Sequence, residues 1–594
     1  MISSRLSAAI VLLLLQAGHF SFGAVTIDPS NTNILYSGRF NHSNPSQPRF
    51  GWSGTSIIAN FEGTSLKASF DDEGDNYLYV IVDDGEPEIL NLNSNSTEYT
   101  LASGLTDEVH KIEIVKRTEG YHGHIKFNHL KLDDGRNLAA PPARPPLKLE
   151  FFGDSNAAGY SAEDIHDAGA SSTNDSYFTF PGITSRMLNA EHSNVSVSGI
   201  TVTGGAGISS VWDKTYYPGG SSPTWDFGNY SPDAVIINLG ANDYYASRTE
   251  NQIKNGWKNF ITDDLRTVYP DAHVVLVNSY GWANNEPADY VADAVAELHS
   301  QGDTNVSSVL FPWLWGQTHA VTFEQAGFAN ILAGHLATEL GLPQPAPNEL
   351  SGFGAPGQVA NGSFENSDLT DVPDGWRYWG NGTSYLEDVG DAHSGVDYVR
   401  VTGDSSGFWH ANNAIPGHQY TATGWMRRAG AGNGGTQGKL RIEFKDQQQS
   451  IISVFTETES VGDFWEEVSV SATAPPNAWG ITISMITNSG DSVDFDSIVL
   501  QDLDAPILLP ADFDQDHDID SVDLAIWNRA FADDDEADAN GDGYSDGYDF
   551  LVWQSSLNNS SPSSIATIVP EPTSFDLLAI LGLLFAPFRK QGKS

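Results

Sequence analysis

Leu147-Lys148-Leu149-Glu150-Phe151-Phe152-Gly153-Asp154-Ser155-Asn156-Ala157-Ala158-Gly159-Tyr160 reads as an apolar strand that runs into a glycine-bounded turn. Further apolar runs of strand length follow near 195–202, 234–239, 273–279 and 306–311, and helical stretches are expected near 177–190, 252–268, 286–299 and 323–340. Short continuous apolar runs alternating with helix-length segments are the pattern of an α/β domain on a parallel sheet, here placed at 147–345. Ligands of such sheets sit at the carboxyl ends of the strands, so residues leaving those ends are the first to examine for chemistry.

Three strand ends carry such residues. The first delivers Ser155 on a glycine-permitted turn, where its hydroxyl can face a cleft. The run at 195–202 leads into Gly204-Gly205-Ala206-Gly207, whose backbone can approach a ligand closely enough to donate an N–H. The run at 234–239 ends in Gly240-Ala241-Asn242-Asp243. An Asn242 amide aimed at an ester carbonyl is a donor of the kind that contributes roughly 3–4 kcal/mol to acyl transfer. Each motif alone is an ordinary turn; their order on successive strand ends gives them weight. A proton acceptor is expected late in the domain, and His319 stands in Trp313-Leu314-Trp315-Gly316-Gln317-Thr318-His319, just before the last helical stretch. Tyr160, Trp212, Trp313 and Trp315 lie in loops of this domain and are candidate substrate-binding residues.

Outside this domain the rhythm changes. Residues 25–140 alternate and are punctuated by turns, as in Lys111-Ile112-Glu113-Ile114-Val115-Lys116, which is a β-sandwich signature. Pro141 to Pro146 reads as a stiff linker. After a Gly/Pro-rich linker at 346–358, a second β-rich domain spans 359–503, from Asn361-Gly362-Ser363-Phe364-Glu365 to Val493-Asp494-Phe495-Asp496-Ser497-Ile498-Val499-Leu500.

The segment 510–558 contains two acidic loops, each followed by an apolar helical stretch. Asp512, Asp514, Asp516 and Asp523 in one, and Asp538, Asn540, Asp542 and Asp549 in the other, place oxygen ligands at positions 1, 3, 5 and 12 of a calcium loop. Gly543 occupies the sharp turn of the second loop, where the first has His517.

Both ends carry address signals. Arg5, the apolar run 8–15 and the small residues Ser21, Gly23 and Ala24 match a secretory signal peptide over residues 1–24. Residues 569–594 combine Val569-Pro570-Glu571-Pro572, an apolar stretch and a basic tail. Composition agrees with an extracytoplasmic protein. Among 594 residues, 77 Asp and Glu against 29 Lys and Arg leave a net charge of −48, which argues against a nucleic-acid partner. With no cysteine, thiolate catalysis, disulfides and Cys-ligated metals are excluded.

The order Gly-Asp-Ser, Gly, Gly-Xaa-Asn-Asp, then His resembles the SGNH (GDSL-type) hydrolase superfamily, whose α/β domain is a flavodoxin-like parallel sheet. Tyr177-Phe178-Thr179-Phe180-Pro181-Gly182, Arg186-Met187-Leu188-Asn189-Ala190 and Trp225-Asp226-Phe227, with the preceding β-sandwich, resemble family 2 carbohydrate esterases over about 30–342. That resemblance implies a serine ester hydrolase deacetylating plant polysaccharide such as xylan or mannan, with no catalytic cofactor. Ser155 is the implied nucleophile and His319 the general base. The implied oxyanion hole joins Asn242 to the N–H groups of Ser155 and a glycine of 204–207, Gly205 ahead of Gly207.

The superfamily usually places an Asp three residues before the histidine. Gly316 stands there, so a neutral acceptor such as a backbone carbonyl is expected to orient His319. Residues 359–503 resemble jelly-roll carbohydrate-binding modules. The 510–558 unit resembles a dockerin, implying structural Ca²⁺ and, where a partner exists, a cohesin-like protein. The C-terminus resembles a PEP-type sorting signal that anchors the chain in a membrane before processing. Two other readings stay open: an esterase for another acetylated glycan (exopolysaccharide, pectin or sialic acid), and a surface polysaccharide-binding protein whose esterase site has lapsed.

Overall fold

The computed structural model describes residues 24–92, 97–217, 222–278, 290–311, 319–346, 359–367, 372–387, 390–430, 435–446 and 450–504, together with parts of 511–556. The expected signal peptide (except residue 24), the 346–358 linker (except residue 346) and the C-terminal sorting segment lie outside the described residues. Residues 1–504 form one compact unit and 505–594 another. Among the described residues no helix is long and apolar enough to cross a membrane.

The first domain is one hydrogen-bonded, eight-stranded antiparallel sheet around a single apolar core, where the sequence suggests two facing sheets. Its long strands Ser56–Gly74 and Glu98–Lys116 explain the difference. Register shifts at Gly63/Ser65 and Ser69/Phe70 bend the first of them, which pairs with Glu98–Lys116 along one part and with Gly123–Asp134 along the other.

The second domain has five parallel strands, β1 (Leu147–Gly153), β2 (Ala190–Ser196), β3 (Ala234–Asn238), β4 (His273–Val277) and β5 (Val306–Val309), in the order β2-β1-β3-β4-β5. Strands β3 and β4 are buried at every position, as expected for strands covered on both faces. The order reverses between β1 and β3, so a crevice is expected at their carboxyl ends. Strand β2 lies earlier than the run at 195–202 suggests. Val197, Ile200 and Val202 are buried, but they belong to the loop over the sheet edge, and loop burial gives the same apolar signal as a strand.

The proline-rich connection is docked. Arg144 in it pairs with Glu191 at 2.6 Å. Arg39 of the first domain reaches into the second, its guanidinium 3.0 Å from Glu150 of β1 with both side chains buried, and it also donates to the Trp212 and Lys214 carbonyls. Trp52 joins the apolar core of the second domain.

The third domain is a ten-stranded sandwich of two five-stranded antiparallel sheets. Strand Gln437–Lys445 alternates strictly between buried and half-buried positions, the mark of one face turned to a core. Between the sheets lie Phe408, Tyr420, Met426, Phe444, Met485 and Phe495. In the small C-terminal unit, helices Ser521–Ala530 and Gly547–Ser556 are described, with Trp527 and Phe550 rings 4.9 Å apart.

Candidate active site

Strand β1 ends at Gly153, and Ser155 opens a one-turn helix, Ser155–Ala158. The Asp154 carboxylate accepts the Asn156 N–H at 3.2 Å and fixes the turn. Gly159 closes it at φ +89°, and a Cβ there would lie 2.2 Å from the Asp175 carbonyl oxygen, so only glycine fits. Ser155 is thereby held at the edge of the sheet, 7% exposed.

His319 meets Ser155 there. Its Nε2 lies 2.8 Å from Ser155 Oγ and its Nδ1 lies 2.7 Å from Asp167 Oδ1. This corrects the expectation of a neutral acceptor: the far imidazole nitrogen faces a carboxylate. Asp167 comes from the loop after Ser155, not from the segment before His319. That loop is shaped by Asp164, whose carboxylate accepts the N–H groups of His166 and Ala168, each at 2.8 Å. Asp167 itself adopts φ +59°, a conformation a non-glycine residue holds only with such support.

The backbone after His319 is tied to the residue beside Ser155. Asn156 Oδ1 accepts the Ala320 N–H at 2.9 Å, and Gln325 Nε2 donates to the Asn156 carbonyl at 3.0 Å. One side chain therefore sets the spacing between the segments that carry Ser155 and His319.

Asn242 follows β3 in a short helix, Ala241–Tyr245, and its Nδ2 donates to the Ile200 carbonyl at 3.0 Å. Next to it, buried Asp243 accepts the N–H groups of Val202 (2.7 Å) and Thr203 (2.9 Å) and fastens the glycine-rich loop to the end of β3. Of the two candidate glycines, Gly207 donates its N–H to Gly204 O at 3.1 Å, and a Cβ on it would press on the Thr201 carbonyl. Gly205 has open space above its Cα. Glu119 of the first domain supports the same loop, accepting the Ser198 N–H at 2.9 Å; burial pushes its carboxyl up.

The aromatic candidates divide. The Tyr160 ring lies against the His319 ring, tilted by 48° with centroids 4.6 Å apart. Trp212, expected to meet sugar, instead packs on Phe227 and Phe260 against the domain core, so it is a structural residue. Trp313 and Trp315 lie outside the described residues, as do Asp512, Asp514, Asp516, Asp538, Asn540 and Asp542 of the acidic loops. Asp523 and Asp549 are described and buried, each in the first turn of a helix. Nothing in the sequence separated Asp167 and Glu119 from the many other acids, although the Asp164/Asp167 pair ahead of Gly169 hints at a shaped loop.

Family models match the first two domains. One described as carbohydrate esterase 2 N-terminal matches residues 36–142, and one described as GDSL-like lipase/acylhydrolase matches 151–336. The first two domains are homologous to the family 2 carbohydrate esterases. The cellulase/esterase CelE of Acetivibrio thermocellus is 34% identical over 305 residues, 49% of this chain and 37% of that protein, so the chain spans well under half of that relative's length. An acetylxylan esterase/glucomannan deacetylase of Cellvibrio japonicus is 25% identical over 52% of this chain and 90% of its own. A solved active-site mutant of a family 2 esterase from Clostridium thermocellum is 29% identical with a TM-score of 0.50, covering 53% of this chain and all of that one. The GDSL-like match ends at residue 336, before the third domain and the acidic unit.

Proposed function

We propose that the protein is a secreted carbohydrate esterase that removes O-acetyl groups from plant-type polysaccharide, xylan or glucomannan. The observation that carries this is the continuous path from Ser155 Oγ through both His319 nitrogens to Asp167. In this reading His319 takes the Ser155 proton as Oγ attacks the acetyl carbonyl. The sugar hydroxyl then leaves with that proton, giving an acetyl-serine ester. Water repeats the sequence, releasing acetate and restoring Ser155. Asp167 holds the imidazole orientation and stabilises its cationic form. The developing oxyanion is met by the N–H groups of Ser155 and Gly205 and by Asn242, whose amide has a second N–H beside the one given to Ile200.

The substrate class rests on the names of the relatives, acetylxylan esterase and glucomannan deacetylase. A sugar-binding role for the third domain belongs to the same proposal and rests on the resemblance of residues 359–503 to jelly-roll carbohydrate-binding modules. The lapsed-site reading drew its force from a missing acid, and Asp167 removes that argument. Structural Ca²⁺ in the acidic unit is part of this proposal and rests on the 1, 3, 5 and 12 spacing of its oxygen ligands, of which Asp523 and Asp549 are buried in the first turns of the two helices; a cohesin-like partner and membrane retention belong to the same proposal.

The test is acetate release from acetylated xylan, glucomannan and pectin by the full chain and by Ser155→Ala. Release by the wild type alone, fastest on xylan or glucomannan, is expected; equal background rates on every substrate overturn the assignment.

A further inference from the structure

Arg377, Tyr378 and Trp379 form a three-residue strand at the start of the first sheet of the third domain. Two of these residues face the active site's own supports. Arg377 donates through Nε at 2.8 Å, and through Nη2, to the two carboxylate oxygens of Glu324, with both side chains buried. The same carboxylate accepts the Val321 N–H at 3.0 Å, capping helix Thr322–Leu340 two residues after His319.

The apolar contacts agree. Val321 belongs to the core of the third domain, and the Phe323 ring presses on the turn at Gly375, where a Cβ would lie 2.6 Å from it. On the other side, Ile165 packs against that same core and Tyr378 Oη lies 3.3 Å from His166 Nε2, one residue before Asp167. Asp167 and His319 thus sit on two separate segments, each anchored next to its functional residue by adjacent side chains of one foreign strand. Within the second domain the left-handed backbone of Asp167 is held by short loop bonds, its N–H donating to the Asp164 carbonyl at 3.1 Å.

We propose that the third domain is a constitutive part of the hydrolytic centre, with Arg377 and Tyr378 as positioning residues that hold His319 and Asp167 in register. It is not merely a tethered binding module. The inference rests on the esterase reading for its kinetic consequence but not for its geometric one. Misplacing a catalytic group by about 1 Å costs on the order of 10²-fold in rate, so small rotations of either segment are enough to matter.

The experiment uses the full chain and 4-nitrophenyl acetate, too small to touch a polysaccharide surface. Arg377→Met should lower kcat about 10- to 100-fold with little change in KM, Arg377→Lys should recover part of it, and Tyr378→Phe, which removes one hydroxyl, should lower kcat by a smaller factor. Phe464→Ser, at a residue 82% exposed on the third domain, should leave kcat unchanged.

A second readout does not need turnover: the low-field proton resonance of the His319–Asp167 hydrogen bond should be present in the wild type and broadened or lost in Arg377→Met. Wild-type kcat and an intact resonance in Arg377→Met and Tyr378→Phe overturn the proposal. A wild type without Ser155-dependent hydrolysis overturns the esterase reading instead, while the resonance still decides the positioning role. If Arg377→Met fails to fold, Tyr378→Phe alone carries the test.

Discussion

Asp167 Oδ1 lies 2.7 Å from His319 Nδ1, although 152 residues separate them and neither is on a sheet strand. The pair fixes which imidazole nitrogen faces Ser155. Asp167→Asn keeps the shape but replaces an anion by a neutral amide, so kcat should fall about 10²- to 10⁴-fold with KM little changed. Steady-state kinetics on 4-nitrophenyl acetate measure this; an undiminished kcat would return His319 to a two-residue mechanism.

Asn242 has a different kind of contribution. Loss of one oxyanion donor costs about 10²- to 10³-fold in kcat, so Asn242→Ala should lose that much while acetylated substrate still binds. Because Asn242 also donates to the Ile200 carbonyl, circular dichroism and thermal melting should accompany the kinetics. A variant that melts like the wild type yet turns over as fast removes Asn242 from the oxyanion role.

The ion pair between Arg39 and Glu150 joins the first two domains with both side chains almost wholly buried. Arg39→Met leaves the Glu150 charge without its partner, and breaking such a pair costs about 3–5 kcal/mol. Urea unfolding should show that loss, and the first two domains should unfold as one unit before and after the change. Separate transitions in the wild type would contradict the interface.

Two buried histidines set an acid limit. Burial pushes His192 down to about 3 and His410 to about 4, so both are neutral in the native protein. Unfolded histidine titrates near 6.5, so as pH falls below that value the unfolded chain takes up protons that the native chain refuses. Stability is therefore fully present above about pH 6.5 and lost as pH falls toward these native values. At about pH 5 each site should cost roughly 2 kcal/mol relative to pH 7, and His410→Gln should show a smaller acid loss than the wild type in urea unfolding.

Chelation separates the acidic unit from the chemistry. EDTA should lower the melting temperature of the 512–549 region, seen as early proteolysis there, while hydrolysis of 4-nitrophenyl acetate continues. Loss of turnover with EDTA, restored by added metal, would mean that the second domain itself needs a metal.

The β-α alternation, the Ser155 turn, the Asn242 strand end and His319 were all readable in order, because strand ends are local features with local residue preferences. Strand β2 was displaced because buried loop residues such as Ile200 and Val202 carry the same apolar signal as a strand. Trp212 looked like a sugar platform because its neighbours Phe227 and Phe260 are distant in sequence.

By itself the chain determined the sheet, the residues at its carboxyl edge and the absence of thiol chemistry. Only the tertiary structure decided which acid orients His319 and that the third domain braces it. Both are pairings across more than fifty residues, Asp167 with His319 and Glu324 with Arg377. In a chain with 77 acidic residues, no local pattern marks the one carboxylate that folding brings to a given imidazole or guanidinium.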